Sequence, residues 1–197
     1  NETIKLAYRT KGTSSTYVFS NYVAKYNPEW KETMGVGLTV PWRVGQGTES
    51  IKELGDYIKQ TPYSLAVTEF SYVLKNRIKY VQLKNRDGQF VKPSPDSVSE
   101  AAKLAKWDVA NGLYVDLNDQ AGAKTWPMTS ASFVLVRRVA DNPERSKEML
   151  NYFNWSLRVG SMSAIQGDFI PLPNSVSNTV RASWKGIVDS QGVSIWQ

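Results

Sequence analysis

Ile4, Leu6 and Tyr8 alternate with polar residues, the two-residue period of a strand, and the polar stretch Arg9 to Thr16 ends it. Val18, Phe19, Tyr22, Val23 and Tyr26 then recur at helical spacing until Asn27-Pro28 breaks the pattern. The chain therefore opens with a strand, a polar loop and a helix. Thr39 to Trp42 reads as a short extended piece, and Gly45 to Ser50 as a glycine-containing loop leading into a helix with Ile51, Leu54 and Ile58 on one face. Ser64 to Thr68 predicts a strand, Glu69 to Leu74 a short helix, and Ile78 to Leu83 a further strand. Asn85-Arg86-Asp87-Gly88 is a turn signal that folds Gln89 to Val91 back as a hairpin arm.

Ser97-Val98-Ser99-Glu100 has the spacing of a capping box, in which hydroxyl and carboxylate each satisfy a free amide, and predicts a helix from Val98 to Lys106. Asp108 to Ala123 is polar, contains glycine and reads as irregular. Phe133-Val134-Leu135-Val136 is wholly apolar, the pattern of a strand buried on both faces. Asn142-Pro143 caps a long helix whose apolar surface comes from Met149, Leu150, Phe153, Trp155, Leu157 and Val159. Val176, Val180 and Trp184 mark a last helix. Strands and helices alternate throughout, which makes the fold class α/β.

Composition narrows the function. With 197 residues, 41% of them hydrophobic, the chain can bury a core as one domain or two unequal lobes. It has no Cys and no His, which removes disulfides, thiolate nucleophiles and imidazole chemistry, so an enzyme is not expected. Glu49 and Glu69 are conceivable as paired catalytic carboxylates, but nothing in their spacing sets the separation such a pair needs. The net charge of +6 favours anionic partners. Its basic residues are scattered, with no run longer than Arg137-Arg138, which argues against nucleic acid. No apolar stretch reaches the roughly 18 residues of a membrane span. The first residues read directly as a strand, so the chain is expected to begin in mid-domain, with any export signal already removed. The many Trp and Tyr residues fall mostly at helix ends and apolar positions, which favours core packing over sugar stacking.

The candidate chemistry lies in Arg9-Thr10-Lys11-Gly12-Thr13-Ser14-Ser15-Thr16. Between a strand and a helix, unpaired amides and the positive end of the helix dipole converge, a setting ready for an anion. Thr13, Ser14 and Ser15 supply hydroxyls there, and Arg9 a guanidinium suited to clamp a tetrahedral oxyanion with two parallel hydrogen bonds. Ser and Thr are equally ordinary helix caps, so on spacing alone the capping reading stands beside the anion reading.

This loop, with Phe19, Asn21 and Tyr22 after it, resembles the Arg-x-Asp-Gly-Ser-Gly-Thr loop in the second lobe of periplasmic phosphate-binding proteins, the solute-binding components of phosphate ABC transporters. Further segments similar to that family follow in its order. They include Thr39-Val40-Pro41-Trp42, Glu69-Phe70-Ser71-Tyr72, Trp126-Pro127-Met128-Thr129-Ser130, Phe153-Asn154-Trp155 and Val180-Arg181-Ala182-Ser183-Trp184-Lys185. The resemblance implies a type II periplasmic-binding-protein scaffold: a three-layer second lobe with a mixed sheet and helices on both faces over residues 1–125. Residues 126–197 would then cross back and complete the first lobe, most of which would lie outside this chain.

The same resemblance implies inorganic phosphate, or a similar oxyanion, held by Arg9, Lys11, Thr13, Ser14 and Ser15, with no cofactor and no metal. It implies a periplasmic or extracellular location. The expected partners are the membrane subunits of an ABC transporter and a first lobe or partner chain covering 126–197. The sequence departs from the family pattern at Lys11, which stands where the family has Asp, and at Ser14, which stands where it has Gly. Lys11 would add a second cation beside Arg9 and weaken any discrimination that relies on accepting a proton from the ligand. The alternative expectation is a structural or assembly protein that keeps the scaffold with degraded or no ligand binding.

Overall fold

Lys5–Arg9 forms β1, the middle strand of a three-stranded parallel sheet, in a computed structural model that describes all 197 residues. Its neighbours are β2 (Gln46–Thr48), with Arg9 opposite Thr48, and β3 (Ser64–Ala66), with Lys5 opposite Ser64. Between β1 and β2 the chain runs through α1 (Ser14–Tyr26) and α2 (Pro28–Thr33), and between β2 and β3 through α3 (Ile51–Gln60). The sheet order β2-β1-β3 makes the two crossovers step in opposite directions. Right-handed crossovers stepping in opposite directions place their helices on opposite faces of the sheet. The carboxyl ends of β1 and β3 are thus a topological switch point, where loops part and leave a crevice.

Each helix starts where a side chain replaces a missing backbone partner. The Thr13 hydroxyl accepts from the Thr16 amide at 3.1 Å, Asn27 does the same for Trp30 at 3.0 Å, and Ser50 for Glu53 at 3.1 Å. α3 packs against all three strands and buries Leu54, while Ala7 fills the middle of β1. Gly45 has φ of +105°, and a Cβ there would meet the Leu6 carbonyl at 2.7 Å; glycine is what lets β2 come alongside β1. Tyr8 and Phe19 stack on Trp42, Tyr8 at 5.1 Å between centroids, and Trp30 meets Phe19 and Trp42 edge-on. These half-buried aromatics fill the space between α1, α2 and the sheet, whereas others, Tyr63, Tyr114, Tyr152 and Trp155 among them, stay exposed, so the core-packing expectation holds for only part of the aromatic set.

The remaining elements are α4 (Phe70–Lys75), the antiparallel pair β4 (Leu83–Lys84) and β5 (Phe90–Val91), α5 (Pro95–Leu104), α6 (Pro143–Val159), α7 (Ser161–Gln166) and α8 (Asn174–Ser183). The α/β class holds, with parallel and antiparallel pairing in two separate sheets. No helix is long and apolar enough to cross a membrane.

Several local expectations are corrected. Gly45 to Ser50 is not all loop, because Gln46–Thr48 finds β1 as a pairing partner. The strand expected over Ile78 to Leu83 shrinks to Leu83–Lys84, since the only strand beside it is two residues long, and Tyr80 and Val81 stay exposed. The capping box sits at Ser94 and Ser97 rather than Ser97 and Glu100; Pro95, with φ fixed for the first helical position, moves the start forward. Phe133 to Val136 forms no strand and is not buried: Leu135 is 96% exposed, because no neighbouring strand flanks it. α2 and α7 were not expected, as Asn27 ends one helix while capping the next.

One apolar cluster gathers Ala140, Leu150, Trp184, Ile187 and Ile195, with Trp184 and Trp196 edge to face at 5.0 Å. A smaller one joins Ala102, Ala105 and Leu117. Removing the fully buried Leu150 side chain should cost about 2–5 kcal/mol, by lost transfer energy and the cavity left behind. Leu135→Ser should stay within about 0.5 kcal/mol, and urea unfolding of both variants checks the contrast. Equal losses at the two positions would contradict the exposure of Leu135.

Candidate functional site

The loop read as a candidate anion site leaves the carboxyl end of β1 and enters α1 at the switch point. Arg9 is the last residue of β1, so strand pairing fixes its backbone. Its Nη2 donates to the Glu49 carbonyl at 3.0 Å, while its Nε is buried without a partner. An orphaned guanidinium N–H beside a helix start is the kind of donor an oxyanion satisfies. The Thr10 amide donates to the Thr48 carbonyl at 2.9 Å and the Thr13 amide to the Leu38 carbonyl at 2.9 Å, tying both ends of the loop down.

At the helix start the Thr13 hydroxyl caps α1, accepting from the Thr16 amide and lying 2.8 Å from the Thr16 hydroxyl. The Tyr17 amide donates to the Thr13 carbonyl. The Ser14 and Ser15 amides remain, as first-turn amides do, without intrahelical partners. The Ser15 hydroxyl lies 3.3 Å from Thr13 Oγ1 and 3.3 Å from Glu69 Oε1, either of which can accept its one proton. Ser14 is exposed and makes no side-chain hydrogen bond. Lys11 turns outward to Glu49, Nζ to Oε2 3.7 Å, with both side chains largely exposed. Of the five expected residues, then, Arg9, Ser14 and Ser15 present donors free to meet a ligand. Thr13 is engaged as a cap and Lys11 in an ion pair.

Three carboxylates complete the surroundings, and the sequence reading gave them no binding role. Glu49 holds Arg9 through its carbonyl and Lys11 through its side chain. Glu53 accepts from the Glu49 amide at 3.0 Å and the Ser50 hydroxyl at 3.0 Å, and those bonds hold its carboxyl below the usual carboxylate range. The spacing Ser50-x-x-Glu53 was the available signal for this cap. Glu69, just past the end of β3, is steadied by Thr68 Oγ1 at 2.8 Å and Ser15. Its contact with the loop depends on the β1–β3 pairing and has no local sequence signal.

α1 itself is clamped along its polar side by residues 116–119. Asn21 and Lys25 both reach the Asp116 carboxylate at 3.1 Å, Asn118 donates to the Val18 carbonyl at 2.7 Å, and the Tyr26 hydroxyl donates to Asp119 at 2.6 Å. Burial first, then Asp119, push the Tyr26 phenol well above its ordinary pKa. From the first turn of α1 a cavity of about 460 Å3, mostly apolar, runs between α1, α3 and α4; Ser14, Ser15 and Glu69 sit on its wall. No group of His, Cys, Asp and Glu is arranged to hold a metal.

Fold and loop together define an α/β unit of the doubly wound kind with a basic, hydroxyl-rich loop at its switch point. No protein-family model matches the chain. It is 37% identical over 185 residues to the phosphate-binding protein PstS of Haemophilus influenzae, covering 94% of this chain and 55% of that protein. It is 36% identical to PstS of Pasteurella multocida over its whole length (58% of that protein), and 32% identical to PstS of Xylella fastidiosa over 92% (50% of that protein). The resemblance to phosphate-binding proteins read from the sequence is therefore shown along nearly the whole chain. These relatives carry the names of binding proteins, not enzymes, and the chain spans about half their length.

Two outcomes test this geometry. Thr13→Ala should lower stability by about 1 kcal/mol through loss of the α1 cap, seen as a lower urea midpoint. Glu53, whose folded pKa lies below its unfolded value, adds stability above the unfolded pKa that disappears as pH falls through the folded one. Glu53→Gln should therefore lower the melting temperature at neutral pH and leave a shallower acid decline.

Proposed function

We propose that this chain is the anion-holding part of a solute-binding protein that captures inorganic phosphate, or a similar tetrahedral oxyanion, in the periplasm or outside the cell. It passes the ligand to the membrane subunits of an ABC transporter and catalyses no reaction. The observation that carries the reading is Arg9. Its buried, unpaired Nε lies in a loop fixed at both ends, beside free first-turn amides, in a chain related to phosphate-binding proteins. The amides of Ser14 and Ser15 and the Arg9 guanidinium surround the anion, the Ser15 hydroxyl joining them by turning its proton from Thr13 or Glu69, while Thr13 shapes the helix start and Lys11 adds positive field.

Residues 1–125 form the second lobe, which carries this loop, and 126–197 cross back and belong with the first lobe. Exposed Leu135, Tyr152, Trp155 and Phe169 support that division, since apolar surface of this extent is normally covered. The cover is a first lobe or a partner chain. A second reading, a structural or assembly protein on the same scaffold, draws on the same surface and on the commitment of Lys11 to Glu49.

Calorimetric titration with phosphate decides between them. Binding by the native chain with a loss of about a hundredfold in Arg9→Ala, the ~3 kcal/mol scale of a charge-assisted contact, is expected. No heat with either phosphate or sulfate would remove the transport reading and leave the structural one.

A further inference from the structure

We propose that the apolar cavity beside the loop takes the organic group of a phosphate monoester or phosphonate, so that the ligand class of this site is an anionic head carrying an alkyl or aryl tail. The proposal rests on the phosphate reading of the Arg9 loop for the head and on the cavity for the tail. The cavity has a cause in the fold. β3 is the last strand of its sheet, α1 and α3 overhang its free edge from opposite faces, and no further strand fills the space between them. Every residue from Ser64 to Glu69 therefore lines it.

Size and lining set the chemistry of the tail. At about 460 Å3 the cavity lies within the range of small-molecule sites, roughly 300–1,000 Å3, and is about three times the roughly 150 Å3 of an apolar cavity that binds benzene. Val18, Leu54, Phe70, Val73 and Met128 line it, and water there finds few partners. Glu69 and Lys79 are its only charged wall residues, one of each sign, so the interior offers a charged group no net counter-ion. An apolar tail gains where a charged one would lose. Tyr80 and Val81 line the same space and remain 47% and 55% exposed, apolar surface that such a tail covers.

Position sets the head. Ser14 and Ser15, whose first-turn amides have no intrahelical partners, are also wall residues of the cavity, whereas Arg9 is not. An anion held by those amides and by Arg9 therefore sits at the cavity's mouth. Its tetrahedral head can turn its oxygens to the donors and its remaining substituent inward. Inorganic phosphate uses the mouth alone and leaves the apolar space empty.

The test is calorimetric titration of the full chain with inorganic phosphate and with methyl, butyl and hexyl phosphate, for the native protein and Ala66→Leu. Ala66 lies on β3 at the cavity wall, outside the loop, and leucine there fills part of the space. The expected result is an affinity that rises with chain length by up to about fourfold per methylene, the ~0.8 kcal/mol of a buried CH2, with inorganic phosphate the weakest. Ala66→Leu should bind inorganic phosphate as the native chain does and lose most of the gain from methyl to hexyl phosphate. Esters that bind no more tightly than inorganic phosphate, or less tightly as they lengthen, would overturn the inference while the phosphate reading stood. So would a chain-length gain that Ala66→Leu leaves intact, since the tail would then lie elsewhere. Should Ala66→Leu fail to fold, hexanol added to the native chain serves instead: it should weaken hexyl phosphate and leave inorganic phosphate unchanged, and no such selective loss would overturn the role of the cavity. A native chain that binds neither inorganic phosphate nor any ester would overturn both readings.

Discussion

The site depends on one constraint: β1 is paired on both edges by strands parallel to it. That pairing aligns the carboxyl ends of all three strands. Residues far apart in the chain, Arg9, Glu49 and Glu69, thus reach the same end of the sheet. The strands are short, and β2 and β3 have three residues each, so the pairing needs support. α3 lies across all three strands, and Tyr8, Phe19, Trp30 and Trp42 interlock between α1, α2 and the sheet. Loop geometry is therefore a consequence of packing: the Leu38 and Thr48 carbonyls can accept from Thr13 and Thr10 because those aromatics hold residues 38–48 in place.

Within that frame the electrostatics are balanced more closely than a formal charge of +6 suggests. Surplus positive charge is spread over the molecule, whereas at the loop Lys11 pairs with Glu49 and Arg9 acts on Glu53. Exposed pairs such as Lys11 with Glu49 contribute little to stability, and their effect is on the field a ligand meets. The Arg9 guanidinium is the partly buried cation there, and its unpaired Nε keeps it available.

The sequence was most legible where the signal is local. The strand, loop and helix at the start, the polar loop itself and the Asn142 cap followed from periodicity and capping chemistry, because each is decided within a few residues. Non-local decisions were not legible. Nothing in Gln46-Gly47-Thr48 announces a strand, since its pairing is set by β1 nearly forty residues earlier. Phe133 to Val136 has the composition of a buried strand and is exposed, because burial requires a neighbour and composition cannot supply one. The residues around the loop divide the same way: Arg9 and Ser15 lie in a contiguous motif, whereas Glu69 reaches Ser15 only through the sheet.

The distribution of apolar surface connects fold and function. Leu150, Trp184, Ile187 and Ile195 close a core of their own, yet the same helix, α6, turns Tyr152 and Trp155 outward, and Phe169 beyond α7 is exposed as well. A helix apolar on two faces serves two neighbours. One is present within residues 140–196, and the other face is free. On the proposed reading the Arg9 loop is likewise half of an enclosure, offering first-turn amides and a guanidinium from one side at the switch point. On that reading a second body that covered the apolar face and closed over the loop would exclude water from the site. Desolvation there would strengthen the hydrogen bonds from the first-turn amides and from Arg9 to a bound phosphate, so that enclosure and affinity would rise together.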